Sequence, residues 1–93
     1  MLYLQKKYTM IDLVEIGVNA CKAGDFDEAV VHFTEAIAKD AKNISALYNR
    51  ARAYSKIDQL DKALLDFETL TEISPDNATF IGDYAVALHL CEM

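Results

Sequence analysis

Two histidines, two cysteines and fifteen acids are the side chains here whose chemistry could go beyond packing. His89 and Cys91 stand two apart, which hints at a metal, but residues two apart on a helix point about 200° away from each other. Neither His32 nor His89 belongs to an H-E-x-x-H string, and an ordinary satisfied or exposed imidazole is the better account of both. Three glycines build neither a G-x-G-x-x-G turn nor a phosphate-cradling loop. The many carboxylates, Asp61, Asp66, Glu68 and Glu72 among them, are expected on wet outer faces, where they act as solubilising charge. The chain is therefore expected not to be an enzyme and to need no cofactor and no metal.

Charge and composition narrow the field further. Fifteen acids against nine bases give a net charge of −6. A field of that sign disfavours nucleic acid and anionic membrane, because phosphate binding needs clustered Lys and Arg. Hydrophobic residues make up 53% of the chain, with one Pro and three Gly, which argues against disorder and against a turn-rich all-β fold. Cys21 and Cys91, at no recognisable spacing, are expected to be reduced thiols of an intracellular protein. Lys6 and Lys7 interrupt the apolar N-terminal stretch before it reaches signal-peptide length, and no run approaches the ~20 apolar residues of a membrane span. A cytoplasmic location is expected.

The elements that must position these residues show in an internal repeat. Residues 10–43 and 44–77 align at an offset of 34, sharing Leu13/Leu47, Lys22/Lys56, Asp27/Asp61, Ala29/Ala63, Phe33/Phe67 and Asn43/Asn77. A period near 34 marks an array of helix pairs. Periodicity and punctuation predict five helices, over roughly 9–23, 26–40, 44–57, 60–73 and 77–91. Gly24 ends the first with a residue tolerant of positive φ, and Asp58 takes that place in the second pair. Asp25-x-x-Glu28 reads as a helix start, Asn43 as a cap, and Ser74-Pro75 as a stop. The inward residues are expected to be Leu13, Ile16, Gly17 and Ala20; Phe26, Ala29, Phe33, Ala36 and Ile37; Leu47, Ala51 and Tyr54; Leu60, Ala63, Leu64, Phe67 and Leu70; then Ile81, Ala85 and Leu88. Ala29 and Ala63 let paired helices approach, while Phe33 and Phe67 fill the space toward the next pair. Cys21 and His89 sit at equivalent places two repeats apart, roughly 20 Å at ~10 Å per packed helix, too far to share an ion.

These residues resemble the tetratricopeptide repeat family, whose pattern runs W-x2-L-G-x2-Y, then A-x3-F, then P. The first repeat offers Leu13-x2-Ile16-Gly17-x2-Ala20 and Ala29-x3-Phe33, with Ala41 where Pro is usual. The second offers Leu47-x2-Arg50-Ala51-x2-Tyr54, Ala63-x3-Phe67 and Pro75. Both tryptophan positions hold Leu, and Arg50 departs from the expected apolar residue. The resemblance implies an all-α fold, a right-handed α-α superhelix of about two and a half hairpins. Its divisions are an N-terminal extension over 1–9, repeats over 10–43 and 44–77, and a C-terminal helix over 78–93.

In this family the first helix of each pair lines a concave groove that takes a peptide, so the resemblance implies a protein-protein interaction module. The groove residues it implies are Val14, Val18, Lys22, Tyr48, Asn49, Arg52, Lys56, Val86 and His89, with Ile11, Cys21, Ser55, Asp83 and Leu90 alongside. Arg50, Arg52 and Lys56 on an acid-free helix suggest a small basic centre, suited to a peptide with apolar and acidic side chains. Tyr48 is either an anchor pocket beside Val14 and Val18 or a ring packed on its neighbouring helix. Asn49 resembles one position of the family's two-carboxylate clamp for chaperone tails, but Val14, Val18, Thr79 and Asp83 replace its Lys, Asn, Lys and Arg. A chaperone tail is therefore not the expected ligand, and so small a groove suggests micromolar affinity.

The ends raise an alternative. The fifth helix is apolar nearly all round and Met1-Leu2-Tyr3-Leu4 is apolar too, although array ends want a polar outer face. Either the chain is cut from a longer array, or it is a self-assembling module whose fifth helix or N-terminal segment forms a homodimer. Self-association is expected.

Overall fold

The computed structural model describes residues 8–93, so Met1-Leu2-Tyr3-Leu4 and most of the expected N-terminal extension lie outside the described residues. Five helices carry the described residues: α1 (Met10–Lys22), α2 (Phe26–Lys39), α3 (Ile44–Lys56), α4 (Leu60–Ile73) and α5 (Ala78–Glu92). Every boundary falls within a residue of the one expected from the sequence. The helix starts differ in detail. Asn43 Oδ1 accepts from the Ala46 N–H at 2.7 Å and Asn77 Oδ1 from the Phe80 N–H at 3.0 Å, capping α3 and α5. Asp25, by contrast, makes no side-chain cap at α2. The capping box is instead at α1, where Thr9 and Asp12 exchange side-chain and backbone hydrogen bonds at 3.1 Å. Gly24 (φ 82°) and Asp58 (φ 61°) hold the same left-handed turn in the two hairpins, as the repeat requires.

Helix contacts run α1–α2, α2–α3, α3–α4 and α4–α5, with one addition, α1–α3. That is an open stack of hairpins rather than a closed bundle. Its core forms two clusters. Leu13, Ala29, Phe33 and Ala36 of the first hairpin gather with Ala46 and Ala53 of α3. Leu47, Ala51, Ala63, Phe67 and Leu70 of the second gather with Phe80 and Ala87 of α5. Ile37 packs against both and joins them. Phe33 and Phe67 thus reach the next hairpin, as expected. Phe33 also lies on the backbone of Gly17 in its own hairpin, where an added Cβ would come within 2.5 Å of the ring.

The expected inward face of α5 is wrong. Phe80 and Ala87 are buried, whereas Ile81 is 47% and Leu88 39% exposed and Ala85 is exposed. The repeat explains the difference. Phe80 and Ala87 repeat Ala46 and Ala53, the α3 residues that pack on the preceding hairpin. Ile81, Ala85 and Leu88 repeat Leu47, Ala51 and Tyr54, which α4 covers in the second hairpin. No helix of the described residues follows α5 to cover that face.

Arg50 and Asp66 depart from expectation together. Arg50 does not join a basic centre, and Asp66 is not wet; it is 4% exposed. Arg50 Nε and Nη2 donate to the two Asp66 carboxylate oxygens at 2.8 and 2.6 Å, and Nη1 donates to Thr34 Oγ1 at 3.1 Å. The guanidinium thereby pins α2, α3 and α4 together. Its pKa is raised, chiefly by the hydrogen bond to Asp66 and against the opposing effect of burial.

Candidate functional site

The first helices of the hairpins, α1 and α3, lie side by side with α5, and two clefts open between them. The α1–α3 cleft, about 340 Å³, is lined by Val18, Cys21, Lys22, Phe26, Asn49, Arg52, Ala53 and Lys56. The α3–α5 cleft is larger, about 480 Å³, and takes in Tyr48, Leu60, Phe67, Asp83, Val86 and Leu90. Arg52 and Lys56, one turn apart on α3, line both clefts and form the ridge between them. The α1–α3 pair is in direct contact, while α5 reaches α3 through side chains. That is why the second cleft is the wider.

Seven of the nine expected groove residues therefore meet at these two clefts. Val14 lies elsewhere, with Met10, Ile11 and Asn43 in a separate depression, and His89 lines none of the three. The sequence missed Phe26 and Leu60, one at the start of each second helix. They occupy equivalent repeat positions and lean over the clefts from the hairpin turns, a signal the 34-residue alignment already contained.

Tyr48 resolves as a packed ring rather than an anchor beside Val14 and Val18. Its centroid lies 5.4 Å from that of Phe80 and 6.4 Å, edge-on, from that of Phe67. Its hydroxyl donates to Asp83 Oδ2 at 2.9 Å, which ties α3 to α5, and the Arg52 guanidinium stacks 5.7 Å from the ring centre. Burial raises the Tyr48 pKa above 10.0, the Asp83 hydrogen bond and charge raise it further, and Arg52 opposes both. A raised pKa in the folded state means the neutral phenol is favoured there. The stability it lends is complete below 10.0 and is lost as pH climbs through the higher folded value. In an alkaline titration, the phenolate absorbance removed by Tyr48→Phe should have a midpoint above 10.0; a midpoint below that would contradict the α3–α5 tie. At Cys21 burial pushes the thiol pKa up while Arg52 pulls it down, so the thiol remains neutral and part of the cleft wall.

A stack of helical hairpins with a groove along its first helices defines a helical-repeat protein, and comparison with known proteins gives the family. The tetratricopeptide repeat model matches residues 20–78, and the chain belongs to that family. It is 43% identical over 60 residues to human tetratricopeptide repeat protein 28, covering 64% of this chain and 2% of that protein. Hsp70-Hsp90 organizing protein 2 of Arabidopsis thaliana is 38% identical over 60 residues, 64% of this chain and 10% of that protein. Among solved structures, the first TPR of Spaghetti (RPAP3) bound to HSP90 peptide SRMEEVD superposes with a TM-score of 0.87. That match covers 92% of this chain and 68% of that one, and at 17% identity it speaks to the fold alone. The chain spans only a small part of the length of these two relatives. Tetratricopeptide repeats are protein-interaction modules. No helix among the described residues is long and apolar enough to cross a membrane.

Proposed function

We propose that this chain is a non-enzymatic adaptor module that binds a peptide segment with apolar and acidic side chains along the α1–α3–α5 groove. The supporting observation is the Arg52–Lys56 ridge: two cations on a net-acidic chain, flanked on either side by apolar clefts. The binding residues are Val18, Lys22, Tyr48, Asn49, Arg52, Lys56 and Val86, with Val14 and His89 at the margins. A chaperone tail remains the poorer ligand despite the named neighbours, because Asp83 stands where the clamp needs Arg. A cytoplasmic setting and a role apart from nucleic acid and membrane go with this function. A terminally blocked peptide bearing acidic and apolar residues should shift the NMR amide signals of α1, α3 and α5 and leave those of the outer faces of α2 and α4 unmoved. Arg52→Glu should weaken that binding about tenfold or more. Shifts confined to α2 and α4 would end the groove assignment.

A second function is favoured by α5 itself. Ile81, Val86, Leu88 and Leu90 are all exposed on one terminal helix, more apolar surface than a lone helix usually offers to water. In this alternative α5 meets a second copy and the module assembles with itself. Sedimentation at tens of micromolar should then show a dimer that Leu88→Glu dissociates; a clean monomer removes the alternative.

A further inference from the structure

The two clefts differ in charge and in the donors they can offer. Both clefts share Arg52 and Lys56; the α1–α3 cleft adds Lys22 and has no carboxylate in its lining, while the α3–α5 cleft adds apolar Leu60, Val86 and Leu90 together with Asp83. Among the described residues, the two ion pairs, His32–Glu28 and Arg50–Asp66, leave all three groove cations unpaired. Asn49 stands beside them, but its amide is committed within its own helix. Nδ2 donates to the Ser45 carbonyl at 2.8 Å and to Ser45 Oγ at 3.4 Å. A carboxylate in this cleft meets the Lys22 and Lys56 ammonium groups and the Arg52 guanidinium, not a side-chain amide donor. Such a setting selects for negative charge without demanding the geometry of a chain end.

Building on the groove function proposed above, we infer that the preferred ligand is an internal stretch of chain. It places an Asp or Glu side chain in the α1–α3 cleft and a branched apolar side chain in the α3–α5 cleft. Neighbouring clefts are separated by one helix, about 10 Å. A chain in the polyproline II conformation advances about 3.1 Å per residue and returns its side chains to the same face every third residue, so the two side chains stand about three residues apart. The clefts are not interchangeable. Asp83 offsets part of the shared Arg52–Lys56 charge in the α3–α5 cleft and disfavours an acid there, whereas Lys22 adds to that charge in the α1–α3 cleft.

The test uses acetylated, amidated Ser/Gly peptides carrying one Glu and one Leu, with the separation varied from one to six residues. Affinity should peak near a separation of three, fall as salt rises, and drop about tenfold on Lys22→Glu or Arg52→Glu. Both variants lie on the surface, and unchanged circular dichroism confirms that they fold. Equal affinity at every separation, or binding that requires a free C-terminal carboxylate, overturns the inference. A random peptide library run in parallel separates it from the groove function. Library peptides that shift α1, α3 and α5 signals with some other residue pattern sink this inference but leave the groove function standing. No groove binder from either source sinks both.

Discussion

Replacing Asp66 with alanine should destabilise the fold by about 3 kcal/mol, the low end for a buried pair, because it strands an Arg50 guanidinium that is largely withdrawn from water. Against the roughly 5–15 kcal/mol of a whole domain that is a large loss. The pair itself contributes far less than its removal costs, since two charges gave up hydration to form it. Arg50→Leu combined with Asp66→Leu should therefore recover most of the stability, and it leaves only Thr34 Oγ1 to find another partner. Urea denaturation of the two single variants and the double variant measures all three terms. A loss below about 1 kcal/mol for Asp66→Ala would class the pair with exposed salt bridges and remove its role in joining α2, α3 and α4.

Phe33→Ala should cost about 3–5 kcal/mol, the ordinary range for emptying a fully buried aromatic site. The ring also dictates what α1 tolerates. Gly17→Ala would gain about 1 kcal/mol of helix propensity on an open face. Here its Cβ would meet Phe33 Cε1 at 2.5 Å, with Cδ1 and Cζ at 2.8 Å, and the crowding costs about 1–3 kcal/mol. The substitution should be neutral to destabilising alone and stabilising in a Phe33→Leu background. That change of sign in a double-mutant cycle is the diagnostic result, and simple additivity would contradict the close approach.

The repeat made much of this protein legible. Helix boundaries followed from caps, turns and period, and Gly24 and Asp58 were placed in the left-handed turn from sequence position alone. The groove followed from the family resemblance, and Val18, Lys22, Asn49, Arg52, Lys56 and Val86 do line its clefts. Failures came where one helix has two buried faces. Ala46 and Ala53 carry little hydrophobic weight in a pattern, yet their small size is what lets α3 settle on the first hairpin. Missing them led directly to the wrong face of α5, because Phe80 and Ala87 repeat those positions.

Sequence by itself determined the number, length and pairing of the helices, since these depend on local propensity, capping and the 34-residue recurrence of small and aromatic residues. Tertiary structure alone decided which charges are free to bind. Arg50 and Arg52 are two residues apart on one helix and look alike in the sequence. Their side chains point about 200° apart, so one meets Asp66 across the hairpin and is neutralised, and the other stacks on Tyr48 at the edge of the groove. Whether a cation is spent or available depends on a partner sixteen residues away, and only packing brings that partner near.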